Sequence, residues 1–591
     1  MKKLFLLLAV IITFALGAAA QNRTITGSVV SADGDEPLTG ATVMGVGTSI
    51  GVTTDIDGNF SLSLPASVKK LSVSYVGMTT KEVTITPNPM TIVLENSNVL
   101  DEVITVAYGT QKRSSFTGSA SVLDASTIEN MQVTNPVEAL NGRVAGVQLN
   151  NLSGAPNSSP TIFIRGISSI NAGNDPLIVL DGTPFSGDLN TIASQDIESM
   201  TILKDAASNA LYGARGANGV ILITTKKGKG NARVTFDAKW GSNSKAIQDY
   251  DVINNPKGYY EAYATALMNY NNLGLGGDVY EGANLDNFVT KQLLGDLAYN
   301  VYSIPEGAGR LIVNGNQLNP EATLGNVVDY NGVGYLLTPD NWEDYAYRKA
   351  LRQEYSVSVS QAGDKGSFYF STNYLKNEGI SANSGFERLN SRLSADIQAK
   401  PWLKVGANVA YSHYVSTDFG SSDGENTVGN VFAVSSQMPP IYPLFLRDAD
   451  GTIMRDDMGH QMMDYGDGMN AGLTRPVWTQ ANPLMDNILN VNKYNGNAFN
   501  GNAFAEVRFL HDFKFTTNNA FSLDETRYNS LTNPFYGSYA DQNGAVTVEH
   551  MRTMSATFQQ LLNWTRSFGN NNFSVLVGHE NYVSKSFDLY A

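Results

Sequence analysis

AGVQLNNLSGAPNSSPTIFIRGISSINAGNDPLIVLDGTPF (residues 145–185) and IESMTILKDAASNALYGARGANGVILITTKKG (residues 197–228) read together as one small folded unit. The apolar runs at 162–164, 177–180 and 219–225 have the length and β-branched content of short strands. Asp205 is placed to cap a helix over 206–211, and Asp181-Gly182 closes a turn after PLIVL. Just upstream, Asn135, Pro136 and Glu138 mark a helix start: an Asn cap, Pro at the first helical position and an acid that can bond back. That helix is expected to run to about Asn141. Residues 114–228 are therefore predicted to form a compact mixed α/β domain.

Beyond residue 230 the pattern changes to a period of two. Val234, Phe236, Ala238 and Trp240 alternate with Thr235, Asp237 and Lys239, and the same alternation returns at 355–360, 368–374, 393–399, 405–411, 513–521 and 573–577. Each run has one apolar and one polar face. Turns such as Gly363-Asp364-Lys365-Gly366 separate them, and strands of about 9 to 11 residues suit a tilted crossing of lipid. Two long inserts rich in Asn, Gly, Asp and Tyr, at 254–347 and 418–500, are expected to be loops on one side. The 28 Tyr and 25 Phe are expected mainly in interface girdles and packing, with stacking on sugar rings as the alternative.

Lys2 and Lys3, an apolar run and then Ala18, Ala19 and Ala20 fit a secretory signal over residues 1–20. No other stretch is long and apolar enough for a spanning helix, so any membrane insertion must use strands closed into a barrel. Residues 22–96 read as short alternating strands with turn signals, a small β-sandwich in which Asp57-Gly58 forms a hairpin turn. Asp55 and Asp57 lack the remaining ligands of a calcium loop.

The chain has no Cys, which removes disulfides and thiolate chemistry, and five His with no metal-ligand spacing. Neither a cofactor nor a metal is expected. With 40 basic against 55 acidic side chains the formal charge is −15, which disfavours nucleic acid as a partner. Phosphate loops and nucleophile elbows are missing, and a lone S-x-x-K at Ser67 and Lys70 sits in a turn, so no enzyme is expected.

Residues 145–228 resemble the plug domain of the SusC/RagA family of TonB-dependent outer-membrane importers, with LDG at 180–182 standing where the family carries VDG. Residues 22–96 resemble the carboxypeptidase-regulatory-like domain that precedes such plugs. VLDEVITVAYGTQKR, at 99–113, is similar to the family's TonB box and linker. The resemblance implies a mainly β fold: an N-terminal β-sandwich, a mixed α/β plug at 114–228 and a transmembrane antiparallel β-barrel from 231 to 591. It also implies import of an oligosaccharide or a peptide with a surface SusD-like lipoprotein, driven by TonB with ExbB and ExbD. Asp101, Glu102, Val103, Ile104, Thr105, Val106, Ala107 and Tyr108 would then be the TonB-binding strand, the alternative being an ordinary strand of a neighbouring domain. Arg165 and Arg215, each followed by Gly, are candidates to hold the plug to barrel carboxylates, or else to tie the plug's own loops through backbone carbonyls. A siderophore or cobalamin receptor and a non-transporting surface barrel remain the alternatives. Residues 231–591 are too few for a barrel of roughly 22 strands plus such inserts, and the closing FDLYA lacks a terminal aromatic, so an incomplete barrel is expected.

Overall fold

The structure, a computed structural model, describes residues 22–591 apart from 33–35, 49, 76–77, 88, 95–102, 107–108, 113–118, 152–153, 172, 206–208, 247, 249, 419–428 and 570. The signal sequence expected at 1–20 lies outside the described residues. Two compact units are present, residues 1–118 and 119–591.

In the first unit, β1 (Asn22–Ser31), β4 (Asn59–Pro65) and β7 (Met90–Leu94) form one sheet. β2 (Thr42–Gly45), β3 (Gly51–Thr53), β5 (Lys70–Ser74) and β6 (Lys81–Thr84) form the other. Alternate residues of the long strands, Ile25 and Val29 on β1 and Phe60, Leu62 and Leu64 on β4, turn inward to meet Val43, Leu71 and Val73 of the second sheet. One apolar face per sheet leaves a single shared core, which is a β-sandwich. At the expected hairpin Gly58 adopts φ +74°, and a Cβ there would come within 2.7 Å of the Val29 carbonyl oxygen. The Asp55 carboxylate accepts from the N–H groups of Asp57 (3.0 Å) and Asn59 (2.8 Å), so this acid closes the turn. After the sandwich, β8 (Val103–Val106) pairs antiparallel with β9 (Gly109–Lys112) in a two-stranded sheet.

The second unit begins with the α/β domain. Its sheet runs β10-β15-β16-β13-β14, built from β10 (Ala120–Asp124), β13 (Leu177–Leu180), β14 (Thr183–Pro184), β15 (Ile197–Leu203) and β16 (Val220–Thr225). β11 (Val147–Asn150) and β12 (Thr161–Ile164) make a separate hairpin. Helix α1 (Ala125–Asn130) is capped by Asp124, whose carboxylate accepts from Thr127 N–H at 2.9 Å. Leu123, Ile128, Leu140, Ile164, Ile197, Met200, Ile202, Ile221 and Ile223 enclose an apolar core belonging to this domain alone. The start at Asn135 caps a five-residue 3-10 helix, Pro136–Leu140. The helix expected over 206–211 falls partly outside the described residues. Ala210–Gly216 form a 3-10 segment, and the Asp205 carboxylate accepts from the Ser119 N–H.

Strand β17 (Arg233–Asn243) leaves this domain and leads into residues 244–349. Those residues carry α2 (Pro256–Asn272), α3 (Gly282–Leu297) and α4 (Trp342–Ala346), with the short strands β18 (Tyr302–Ser303), β19 (Ile312–Val313), β20 (Gln317–Leu318), β21 (Thr323–Leu324), β22 (Asn326–Tyr330) and β23 (Val333–Leu337). Next come the long strands β24 (Ala350–Gly363), β25 (Gly366–Glu378), β26 (Gly385–Lys400) and β27 (Leu403–Thr417). Helices α5 (Val431–Gln437) and α6 (Pro483–Leu489) lie in the second insert, before β28 (Val491–Phe509), β29 (Phe513–Thr532), β30 (Ala545–Phe568) and β31 (Asn571–Tyr590).

β17 and β24 to β31 form one antiparallel sheet in chain order, with β17 and β31 at its two ends. This wall inverts the usual rule of burial. On β26, Leu389, Leu393 and Ile397 are 43–51% exposed, whereas Arg388, Asn390 and Arg392, on the opposite face of the same strand, are 2–5% exposed. An apolar outside and a polar inside are what a strand needs when lipid lies on one side and a polar lumen on the other. Short turns join the strands at 364–365, 401–402 and 510–512; Trp402 and Phe509 stand exposed beside two of them, as Phe568 and Phe573 do near the end of β30. All the long connections lie at the other end.

Those connections are not simple loops. The described residues of 250–349, 429–490 and 533–544 enclose a common apolar core that includes Tyr260, Val289, Leu293, Tyr299, Trp342, Val434, Tyr442, Phe445, Tyr465 and Tyr536. Arg475, fully buried, ties this cap together: its guanidinium donates to the carbonyls of Asp464 (3.2 Å), Trp478 (3.0 Å) and Ala481 (2.8 Å) and lies 5.1 Å from the Trp342 ring centroid. The wall strands also exceed the expected 9 to 11 residues, reaching 24 in β30, because they run beyond the apolar band into this cap.

Candidate functional site: the seam between the α/β domain and the wall

The α/β domain meets the inner faces of strands from β24 to β31, which lie side by side in the sheet. A flat sheet of eight strands would spread over about 34 Å at 4.8 Å per strand. The wall therefore has to curve around the domain.

Asp181 is the hub of the seam. The turn that contains it, with Asp181 at φ +47° and Gly182 at φ +86°, projects from the end of β13. One carboxylate gathers groups from both bodies. Thr225 of β16 donates from its N–H (2.9 Å) and its hydroxyl (2.7 Å), Arg392 of β26 donates at 2.9 Å and Asn408 of β27 at 2.5 Å. Arg392 also reaches the Thr225 hydroxyl.

A second buried acid, Asp196, accepts from Tyr369 (3.1 Å), Ser371 (2.6 Å) and Asn373 (3.1 Å), three successive inward residues of β25. Between these two acids, Arg388 of β26 donates to the carbonyls of Asn190 and Ile192, and Asn390 donates to that of Thr191 at 2.6 Å. On β24, Glu354 accepts from Gln195 and pairs with Arg352 at 2.9 Å. On β24 to β27 the inward phase of the strands has thus placed cations, amides and hydroxyls opposite carbonyls and carboxylates of the α/β domain.

Of the two arginines singled out from sequence, Arg215 forms an ion pair with Glu580 of β31 and lies 5.6 Å from the Tyr582 ring centroid. Arg165 does not reach the wall. It follows β12 directly at φ +62°, its N–H donates to Gly146 O at 2.8 Å, and its exposed guanidinium meets no partner among the described residues. The tight turn with Gly166 carries it into solvent. Val103–Val106 form β8, whereas Asp101, Glu102, Ala107 and Tyr108 lie outside the described residues. Lys70, half of the S-x-x-K pair, is an exposed residue paired with Glu82 at 3.3 Å, and Ser67 is exposed in the preceding turn.

Chemically, this seam holds without being saturated. The Nε atoms of Arg388 and Arg392, Nη2 of Arg352, and the side-chain oxygens of Asn373, Asn390 and Asn408 are buried without a hydrogen-bond partner among the described residues. Each lost bond can be replaced by water, so separation costs far less than the number of bonds suggests. The apolar core of the α/β domain is not shared with the wall and would stay buried. Burial, with the Asp524 carboxylate nearby, pushes the Asp188 carboxyl up, and burial does the same to Glu138.

Residues 112–220 match the model of the TonB-dependent receptor plug domain, and residues 25–105 that of the CarboxypepD_reg-like domain. TonB-dependent receptor P26 of Formosa agariphila is 30% identical over 578 residues, covering 96% of this chain and 49% of that protein. TonB-dependent receptor SusC of Bacteroides thetaiotaomicron is 28% identical over 603 residues, 98% of this chain and 52% of SusC. Among solved structures, the RagAB peptide importer in its open-open state superposes with a TM-score of 0.59 at 24% identity, covering 82% of this chain and 50% of that one. That likeness establishes a shared fold. The chain spans about half the length of the curated relatives it matches.

Proposed function

Because this chain is similar over most of its length to SusC-like TonB-dependent receptors and carries their plug domain, we propose that it acts in active import across the outer membrane. In this reading the nine-strand sheet is part of the transmembrane barrel, and the α/β domain is the plug that closes it. The cap faces outward, and the sandwich and the short turns lie in the periplasm. An outer membrane offers neither nucleotide nor a sustained ion gradient, so the work must arrive mechanically: TonB, energised by ExbB and ExbD, pulls on residues 101–108.

The observation that carries the proposal is the seam. A plug that stays folded on its own core and is held to its wall by replaceable polar bonds can be displaced and reseated. The pair of β8 and β9 suits the pull, since two four-residue strands that among the described residues pair only with each other are marginally stable. A partner's sheet edge can displace β9 and take its place against Val103–Val106. A SusD-like surface lipoprotein would deliver the ligand, an oligosaccharide or a peptide.

Deleting residues 101–108 tests the coupling. Cells carrying the deletion are expected to bind ligand at the surface as before and to lose energised uptake. Uptake at the wild-type rate would overturn the proposal.

A further inference from the structure

The plug is held unevenly. On β24 to β27 its bonds are charged or short, through Glu354, Asp196, Arg388, Asn390, Arg392 and Asn408. On the next strands they thin out. β28 gives the plug no hydrogen bond among the described residues. β29 gives one, Asp188 N–H to Asp524 at 3.3 Å, and β30 gives two, Ser186 with Ser555 at 3.4 Å and Gln559 to Gly182 O at 3.3 Å.

The chemistry of the two sides differs as well as the number of bonds. The inner face of β24 to β26 is set with Arg352, Glu354, Arg388 and Arg392, whereas Asn500, Asn502, Ala520, Ser522, Ser555 and Thr557 on β28 to β30 are small and uncharged. Between these small side chains and the plug's turn at Asp181–Phe185 there is an internal gap. Beyond it, two carboxylates, Asp188 and Asp524, oppose one another across the seam. On the tight side Asp181 faces Arg392 instead, 2.9 Å away. Ion pairs hold the plug on β26 and, through Arg215 and Glu580, on β31, and the like charge of Asp188 and Asp524 loosens it between them.

Building on the import reading above, we propose that the solute passage opens between the plug's 181–188 segment and β28 to β30, while the plug keeps its seat on β25 and β26. Such a passage is lined by amides, hydroxyls and methyl groups. It takes solutes that carry hydroxyl or amide groups, with the paired Asp181 and Arg392 among its lining and Asp188 and Asp524 beyond it.

The sequence contains no Cys, so paired cysteines can lock either flank of the whole protein in its native membrane. Ser186→Cys with Ser555→Cys joins plug to wall at the gap, where the two Oγ atoms are 3.4 Å apart. Thr134→Cys with Asn377→Cys joins them at the outer end of β25, where the side chains are 3.1 Å apart. The oxidised 186–555 pair is expected to cut uptake at least tenfold, with recovery on reduction. The oxidised 134–377 pair is expected to retain at least half of the reduced protein's uptake. If the 134–377 lock blocks as fully as the 186–555 lock, the plug must leave its seat and the passage is misplaced. Free uptake through the oxidised 186–555 protein overturns the proposal equally. Neither result touches the import reading, which stands or falls on the 101–108 deletion.

Discussion

Arg392→Met is expected to weaken seating of the plug by about 3 kcal/mol. Arg392 and Asp181 have side chains only 5% and 11% exposed and lie 2.9 Å apart, so the pair was taken out of water to form. Removing the cation alone leaves a buried carboxylate unbalanced, which costs about 3–5 kcal/mol. The lower end applies here because Asn408 and Thr225 still donate to Asp181. About 3 kcal/mol is a change of roughly 150-fold in the seating equilibrium. It is read as faster hydrogen exchange at β13 and β16, and as entry of large antibiotics that a seated plug excludes. Charge balance, not shape, is the claim. Arg392→Met combined with Asp181→Asn should therefore recover most of the loss, since replacing both members of a buried pair is often nearly neutral. Arg392→Lys should fall between, keeping the charge without the planar fork that serves Asp181 and Thr225 together. A double variant as loose as the single one would remove Asp181–Arg392 as the latch.

The same pair shows how far the sequence could be read. Strand alternation marked both faces of the wall, because period two is a local property and each run displays it within ten residues. Asp181 was different. Its turn with Gly182 accounts for an Asp at that position by backbone conformation alone, so nothing local asks for a second role. Its cation is 211 positions away. Asp196 and Arg388 share this property: each is an ordinary polar residue in its own segment, and only the closure of the sheet around the plug makes them a site. The signal that could have found the wall partners is the polar phase of ERLNSRLSADIQ, where Arg388 and Arg392 fall on the same face as Asn390. A strand that puts two arginines inward must meet carbonyls or carboxylates there.

The cap was misread for another reason. Its core relies on Tyr, which hydropathy scores as nearly neutral. Tyr260 donates to Tyr299 O at 2.6 Å, Tyr442 to Leu297 O at 3.1 Å and Tyr299 to Leu473 O at 3.2 Å. With each hydroxyl answered by a carbonyl, the ring can be buried as fully as Phe, and a segment that looks polar acquires an apolar interior.

Within that cap, stability is expected to fall as pH rises from about 4 to 7, and Asp486 is the cause. Asp486, on α6, accepts from Tyr465 OH at 2.7 Å, and the Tyr465 ring stacks on Tyr536 at 5.8 Å, so this carboxyl joins the second insert to residues 533–544. Burial pushes it from 3.8 up to about 6, against the opposing bonds from Tyr465 and Asn533. The folded value is the higher one, so the protonated form is the one that the fold favours. Its contribution is complete below pH 3.8 and is lost as pH climbs through about 6. A shift of about two units is worth about 3 kcal/mol. Asp486→Asn keeps an oxygen for the Tyr465 hydroxyl and carries no charge. At pH 7 it should make the cap more stable than wild type by a similar amount, with a flat profile between pH 4 and 7. Exchange at the amides of 465–490 and 533–544 across that range is the measurement. Parallel pH profiles for the two proteins would show that another group governs the cap.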